Sequence, residues 1–279
     1  MKIILGDNQF FGINHFDLAK GVQTKSKFLD LKSIRAFITD SLNLGMDGFM
    51  INSNSLGYRL ISEYQFDDSK EIHYSIPYPH KYASMVNENG MMSLFSFIVK
   101  NTSWISNIKC GLKLVATQNL VHLTPLALDI EVPSTLSRGS YIYLQNIITD
   151  LLIGMKRFDI IEQFVISCVR KGYRPGLITL NPILLDREIR KFKKTVVRDL
   201  IVCFNINAEG FNVFPSLDAI EDYIESEHDY KLMGMSIFAS GAANINESIE
   251  YIKSLKLDYV IFGTSQLRNV KSNMELLRS

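Results

Sequence analysis

The chain has 279 residues, of which 47% are hydrophobic and 21% charged; 30 basic side chains against 29 acidic ones leave a formal net charge of +1. That balance gives no general attraction to nucleic acid or to an anionic membrane, and the length suits one large barrel or two smaller domains. Cys110, Cys168 and Cys203 lie far apart with no CxxC pair, which argues for a reducing compartment and against a disulfide framework or a zinc–thiolate site.

The N-terminal MKIILGDNQFFG has too short an apolar run for a signal peptide, and no other run approaches a membrane span. A soluble, cytoplasmic protein is expected. No Pro- or Ser-rich linker, low-complexity tract or sharp change of composition divides the sequence. What recurs is an apolar run, a polar loop and an amphipathic stretch. KIIL (2–5) predicts a first strand. Leu31, Ile34, Ile38 and Leu42, spaced by three and four, then form one apolar helical face, and Gly45 follows as a left-handed stop. GFMIN (48–52) predicts strand 2, EIHYSIPY (71–78) strand 3, and MMSLFSFIVKNTSWI (91–105) a helix. LALDIEVPS (126–134) is read as strand 4, with helices near 141–155 and 158–171 after it. GLITLN (176–181), LIVCFNI (200–206), KLMGMSIFAS (231–240) and LDYVIFG (257–263) complete the series. The basic run REIRKFKK (187–194) reads as a solvated helix face.

Strand candidates separated by helical segments point to parallel βαβ units. Eight of them in a chain of this length predict a single α/β domain over residues 1–279, a (β/α)8 TIM barrel. An open doubly wound sheet is the alternative, but the first turn, LGDNQFFG, lacks GxGxxG.

In a barrel the functional residues gather at the C-terminal ends of the strands, because the interior below is packed. Loop 1 offers Asp7, Asn8 and His15, and strand 2 ends in Asn52, Ser53 and Asn54. Tyr78 and His80 follow strand 3, and Glu131 closes the predicted strand 4. Asn181, Asn205 and Asn207 follow strands 5 and 6. Amides orient hydroxyls, carbonyls and phosphates but move no protons. Proton transfer therefore falls to Asp7, Tyr78, His80 and Glu131. Taken singly, each Asn or Ser also has a bland reading as a loop or cap residue. No interior strand lysine suits a Schiff base, and HxH, GxSxG and P-loop patterns are missing. Five singly scattered histidines predict no metal site, although His15, His80, Asp7 and Glu131 are the residues a metal would draw on.

The last two loops carry the sharpest signal. FASGAANINES (238–248) puts Ser240-Gly241 after strand 7, and Asn244 to Glu247 has capping-box spacing. GTSQ (263–266) puts Gly263-Thr264-Ser265 after strand 8. Barrels often hold phosphate between these loops with backbone N–H groups and a helix N-terminus. The competing reading is that Ser265 only caps the last helix.

With SGA (240–242), the amphipathic SIEYIKSLK (248–256), Gly263-Thr264-Ser265, Val270 and Asn273, residues 230–277 resemble the aldo-keto reductases. In that family these loops bind the adenosine phosphate end of NADPH. The resemblance thus implies NADP as cofactor, bound through Ser240, Gly241, Gly263, Thr264, Ser265 and Asn273. The catalytic half departs from the family pattern. Where the family has Asp-Thr-Ala and a tyrosine five residues beyond the Asp, this chain has Asn52-Ser53-Asn54, Gly57 and, one place late, Tyr58. The family's strand-3 lysine falls near Ile76 or Tyr78, and its strand-4 histidine finds no counterpart in LDIEVPS. The expected function is an aldo-keto-reductase-like enzyme acting on or with a small phosphorylated ligand, as a divergent NADP-dependent oxidoreductase. A cofactor-free sugar-phosphate isomerase or lyase, and a non-catalytic ligand-binding barrel, are the alternatives.

Overall fold

The computed structural model describes residues 1–12, 27–77, 121 and 124–279. Its first half runs β1 (Lys2–Leu5), α1 (Asn8–Phe11), α2 (Leu31–Asn43), β2 (Gly48–Asn52), α3 (Ser55–Glu63), β3 (Glu71–Ile76) and α4 (Thr124–Glu131). Then come β4 (Tyr141–Leu144), α5 (Asn146–Gly154), α6 (Phe158–Arg170), β5 (Arg174–Ile178), α7 (Pro182–Ile189) and α8 (Lys194–Val197). The rest is β6 (Ile201–Asn205), α9 (Leu217–Glu225), β7 (Lys231–Met235), α10 (Ile245–Ser254), β8 (Tyr259–Phe262) and α11 (Leu267–Arg278). The eight strands pair in sequence order, all parallel, and the sheet closes where β1 pairs β8 with Lys2 opposite Tyr259 and Leu5 opposite Phe262. This is the (β/α)8 barrel expected from the sequence.

One strand lies elsewhere than the sequence suggested. The segment read as strand 4 is helical over Thr124–Glu131, and the fourth strand is Tyr141–Leu144, inside the stretch read as a helix. Pro125, in the first turn of α4, suits a helix start, where its missing N–H costs nothing. Tyr141 and Tyr143 alternate with Ile142 and Leu144, the period-two pattern of a strand with two buried faces. Tyr78, His80, Cys110 and the helix expected over 91–105 lie outside the described residues, as does His15.

Alternation divides the core into two shells. Ile4, Met50, Tyr141, Tyr143, Cys203, Met233 and Tyr259 fill the barrel's bore. Ile3, Leu5, Phe49, Ile51, Tyr74, Ile142 and Val260 face the surrounding helices. Gly176 shows how tightly the bore is packed: a Cβ on it would come within 2.3 Å of the Tyr143 ring. The N-terminal floor is polar. His73 Nδ1 lies 2.9 Å from the Tyr143 hydroxyl, and its ring stacks on Tyr141 at 4.7 Å. Below it Glu71 meets Lys2 Nζ at 2.6 Å, His73 Nε2 at 3.4 Å and Arg174 at 3.9 Å. Burial alone would raise the Glu71 carboxyl, but His73 and Lys2 outweigh it and hold the group down at about 2. Burial pushes His73 the other way, below its ordinary value, so the imidazole is neutral at pH 7.

On the outside, the basic run is paired with carboxylates, Arg190 with Asp186, Lys191 with Glu188 and Lys194 with Asp229. It is the solvated face expected. Among the described residues no helix is long and apolar enough to cross a membrane.

Candidate active site

The C-terminal mouth is organised around Asp7. The chain leaves β1 through Gly6, and Asp7 takes the N-cap position of the one-turn helix α1. Its carboxylate does not cap that helix. It turns instead to β2 and accepts from the Asn52 backbone N–H at 2.7 Å and from Asn52 Nδ2 at 2.8 and 3.0 Å. Asp7 is 5% exposed. Burial pushes its carboxyl up to about 6, with the Asn52 bonds pulling in the opposite direction. A carboxyl that titrates there can accept a proton at neutral pH and give it back.

Asn52 in turn accepts at Oδ1 from Nε2 of Gln145, the residue that follows β4. Gln145 is also an N-cap whose side chain makes no cap bond. Two N-cap side chains are thus diverted across the mouth to one asparagine, linking β1, β2 and β4. The sequence reading missed Gln145 because it misplaced the fourth strand. The alternating aromatic and aliphatic run YIYL ahead of it was the available signal.

The other candidates are more scattered. Ser53 points to the helix side of β2, where its hydroxyl donates to Glu131 Oε2 at 2.5 Å. Glu131 is 1% exposed and ends α4, so it is a buried helical residue and not the end of a barrel strand as expected. Asn54 caps α3 through Gly57 N–H, and Asn181 caps α7 through Leu184 N–H. Asn207 braces its own loop at Phe211. Asn205 accepts from Ser236 Oγ at 2.8 Å, joining the ends of β6 and β7. The bland reading thus holds for Asn54, Asn181 and Asn207. Among the described residues, no three His, Cys, Asp or Glu side chains come together as a metal would require.

The corners after β7 and β8 meet through an edge-on contact of Phe238 and Phe262, centroids 5.6 Å apart. In the β7 corner Ala239, Ser240 and Gly241 all have positive φ, and the N–H groups of Ala239, Gly241 and Ala242 bond carbonyls within the turn. Asn244 caps α10 as its spacing suggested. In the β8 corner Gly263 is exposed, and a Cβ there would lie 2.5 Å from Gln9 Oε1, which occupies that space. The N-cap of α11 is Gln266, not Ser265, and its side chain makes no cap bond. The Thr264 hydroxyl accepts instead from Gln266 N–H at 3.4 Å and from Asn269 Nδ2 at 3.3 Å. Asn273 is buried on the inner face of α11 beside Val270 and Met274. A cavity of about 230 Å³ lined by Ile61, Tyr64, Phe66, Ile72 and Leu136 opens instead by the start of β3, at the other end from Asp7.

No protein-family model and no curated protein matches the chain. Solved structures do match its fold. A proposed aldo-keto reductase from Pseudomonas aeruginosa superposes with a TM-score of 0.56 at 12% identity, over 99% of this chain and 88% of that one. A second structure so described, from the same organism, gives 0.53 at 13% identity over the same shares. An aldose reductase from Giardia lamblia gives 0.49 at 10% identity, over 90% of this chain and 84% of that one. The first two show the fold to be an aldo-keto-reductase-like barrel.

Proposed function

We propose that this chain is an aldo-keto-reductase-like barrel enzyme that acts on or with a phosphorylated small molecule, with Asp7 exchanging a proton with the substrate. The observation that carries the reading is the Asp7 carboxyl, buried at the catalytic rim, held by Asn52 and titrating at about 6. The β8 corner supports the phosphate part. Gly263, Thr264 and Ser265 are small, and the uncapped first turn of α11 offers backbone N–H groups to an anion. Ser240 and Gly241, in the β7 corner, have less to offer because that corner uses its own amides. Asn273 is buried on the inner face of α11, beyond that first turn.

NADP(H) is the phosphorylated molecule the resemblance suggests, and bound at this corner it would supply a hydride. Other positions of the family's machinery carry different residues. Asn52 ends β2 where the family has an aspartate, Gln145 follows β4 where it has a histidine, and the place of its lysine falls near Ile76 or Tyr78. That amide-for-acid exchange favours a second reading, a cofactor-free isomerase or lyase in which Asp7 moves a proton on a sugar phosphate while the amides hold its oxygens.

Thermal melting with each ligand in turn tests this. NADP(H) or a sugar phosphate should raise the melting temperature, by about 2.7 kcal/mol of stabilisation at a hundredfold excess over Kd, and Ser265→Asp should abolish the rise. NADP(H) alone acting favours the oxidoreductase, and phosphosugars and inorganic phosphate acting equally favour the isomerase or lyase. No shift with any phosphorylated compound would sink the anion site. Asp7→Asn should abolish turnover of whichever ligand stabilises.

A further inference from the structure

We propose that Gln145 is a positioning residue: by donating to Asn52 Oδ1 it fixes the Asn52 amide so that its amino end faces the Asp7 carboxylate. The inference rests on Asp7 being the proton-transferring group. Gln145 itself touches no reacting atom in this account.

An asparagine amide has a donor end and an acceptor end of nearly the same shape, so by size alone it fits either way round. Here the two ends have different partners. The amino end donates to both oxygens of Asp7, and the carbonyl end is covered by Gln145 Nε2. The Gln145 backbone is anchored beside that end. Its N–H donates to Ile76 O at 2.9 Å, and its carbonyl accepts from Ile148 and Thr149 in the first turn of α5. The other amide at this rim, Gln9, donates through Nε2 to Gly6 O, and its buried Oε1 faces Gly263 and has no hydrogen-bond partner among the described residues. Among the described residues the groups acting on Asp7 are Asn52, through side chain and backbone, and Asp7's own backbone, with no charged side chain.

The consequence is asymmetric. Ionised Asp7 is an acceptor only, and both Asn52 donors suit it. Protonated Asp7 needs an acceptor, and Asn52 turns its amino end toward it, with Oδ1 held away on Gln145. The arrangement therefore favours the ionised form and opposes burial, which favours the protonated one. Without Gln145, Asn52 can turn over, present Oδ1 to the Asp7 hydroxyl, and let the proton bind more tightly.

The test is a pH titration of Asp7 in the full-length chain without ligand, read from its carboxyl carbon by NMR and identified by the signal's loss in Asp7→Asn. Gln145→Met should raise the Asp7 midpoint by about one pH unit, the scale of one hydrogen bond to a charged group. In an Asn52→Leu background the same substitution should add nothing, because the coupling runs through Asn52. An unmoved midpoint in Gln145→Met, or an equal rise in both backgrounds, overturns the proposal. Gln145→Leu is held to the same outcomes should Gln145→Met fold poorly. Turnover enters nowhere in this measurement. If Asp7→Asn stays active, the catalytic reading of Asp7 fails while the amide lock is judged on the titration alone.

Discussion

Replacing Asp7 with asparagine should make the protein more stable at neutral pH, although it removes the best-placed titratable group at the mouth. The folded value of about 6 lies roughly two pH units above the 3.8 of an unburied aspartate, which corresponds to about 3 kcal/mol. Between those two values the native state holds a proton that the unfolded chain has released, so stability from this group falls as pH rises. Above pH 6 the carboxylate is ionised in both states and the full cost of burying it is present. Asp7→Asn removes that cost but sets two amino groups against each other at Asn52, a loss of about 1 kcal/mol. The net gain is about 2 kcal/mol at pH 8, or roughly 4–8 °C in Tm. The burial cost shrinks to about a third by pH 4.5, as wild-type Asp7 takes up its proton. Urea unfolding of both proteins at pH 8 and pH 4.5 measures the difference directly. A variant less stable than wild type at pH 8, or a gap that does not change with pH, would refute the claim that a buried, reluctant charge sits at the mouth.

Glu71, at the floor, should show the opposite sign. Its folded value of about 2 lies below the ordinary 4.5, so its contribution is present above pH 4.5 and fades as pH falls toward 2. Glu71→Gln should destabilise the protein at pH 7 by on the order of 1–2 kcal/mol, discounted because Lys2 is half exposed, with the gap closing in acid unfolding curves. Gly176→Ala should cost about 1–3 kcal/mol in urea unfolding, because its methyl displaces the Tyr143 ring from the bore and strains the bond to His73. A concurrent Tyr143→Leu should recover part of that loss by clearing the space.

Where a strand had one clean boundary on each side, its limits could be read to the residue. KIIL and GFMIN lie between polar turns and match β1 and β2 end for end. The middle failed because two apolar stretches offered competing periods. LALDIEV is short, apolar and flanked by prolines, and it looks like a buried strand until Pro125 is placed at a helix start. YIYLQNIITDLLIG runs a four-residue strand into a helix with one intervening residue, so a helical window swallows both. That slip hid Gln145 and promoted Glu131 to a strand end it does not occupy. Asp7 and Asn52 were legible as residues at strand ends, but their pairing was not. It depends on both Asp7 and Gln145 declining to cap their own helices, a choice made by tertiary contacts across the barrel and not by local sequence.

The packed bore separates the two ends of the molecule. Tyr143, Tyr141, Cys203, Met233 and their neighbours form an apolar and aromatic cylinder between the ionic cluster at the floor and the acid at the rim. Among the described residues, Glu71 with Lys2 and Arg174 closes the far end of that cylinder, and the Asp7 carboxyl lies at the opposite one. A change of side chain at the rim is thereby kept apart from the ion pairs of the floor by the full height of the packed bore.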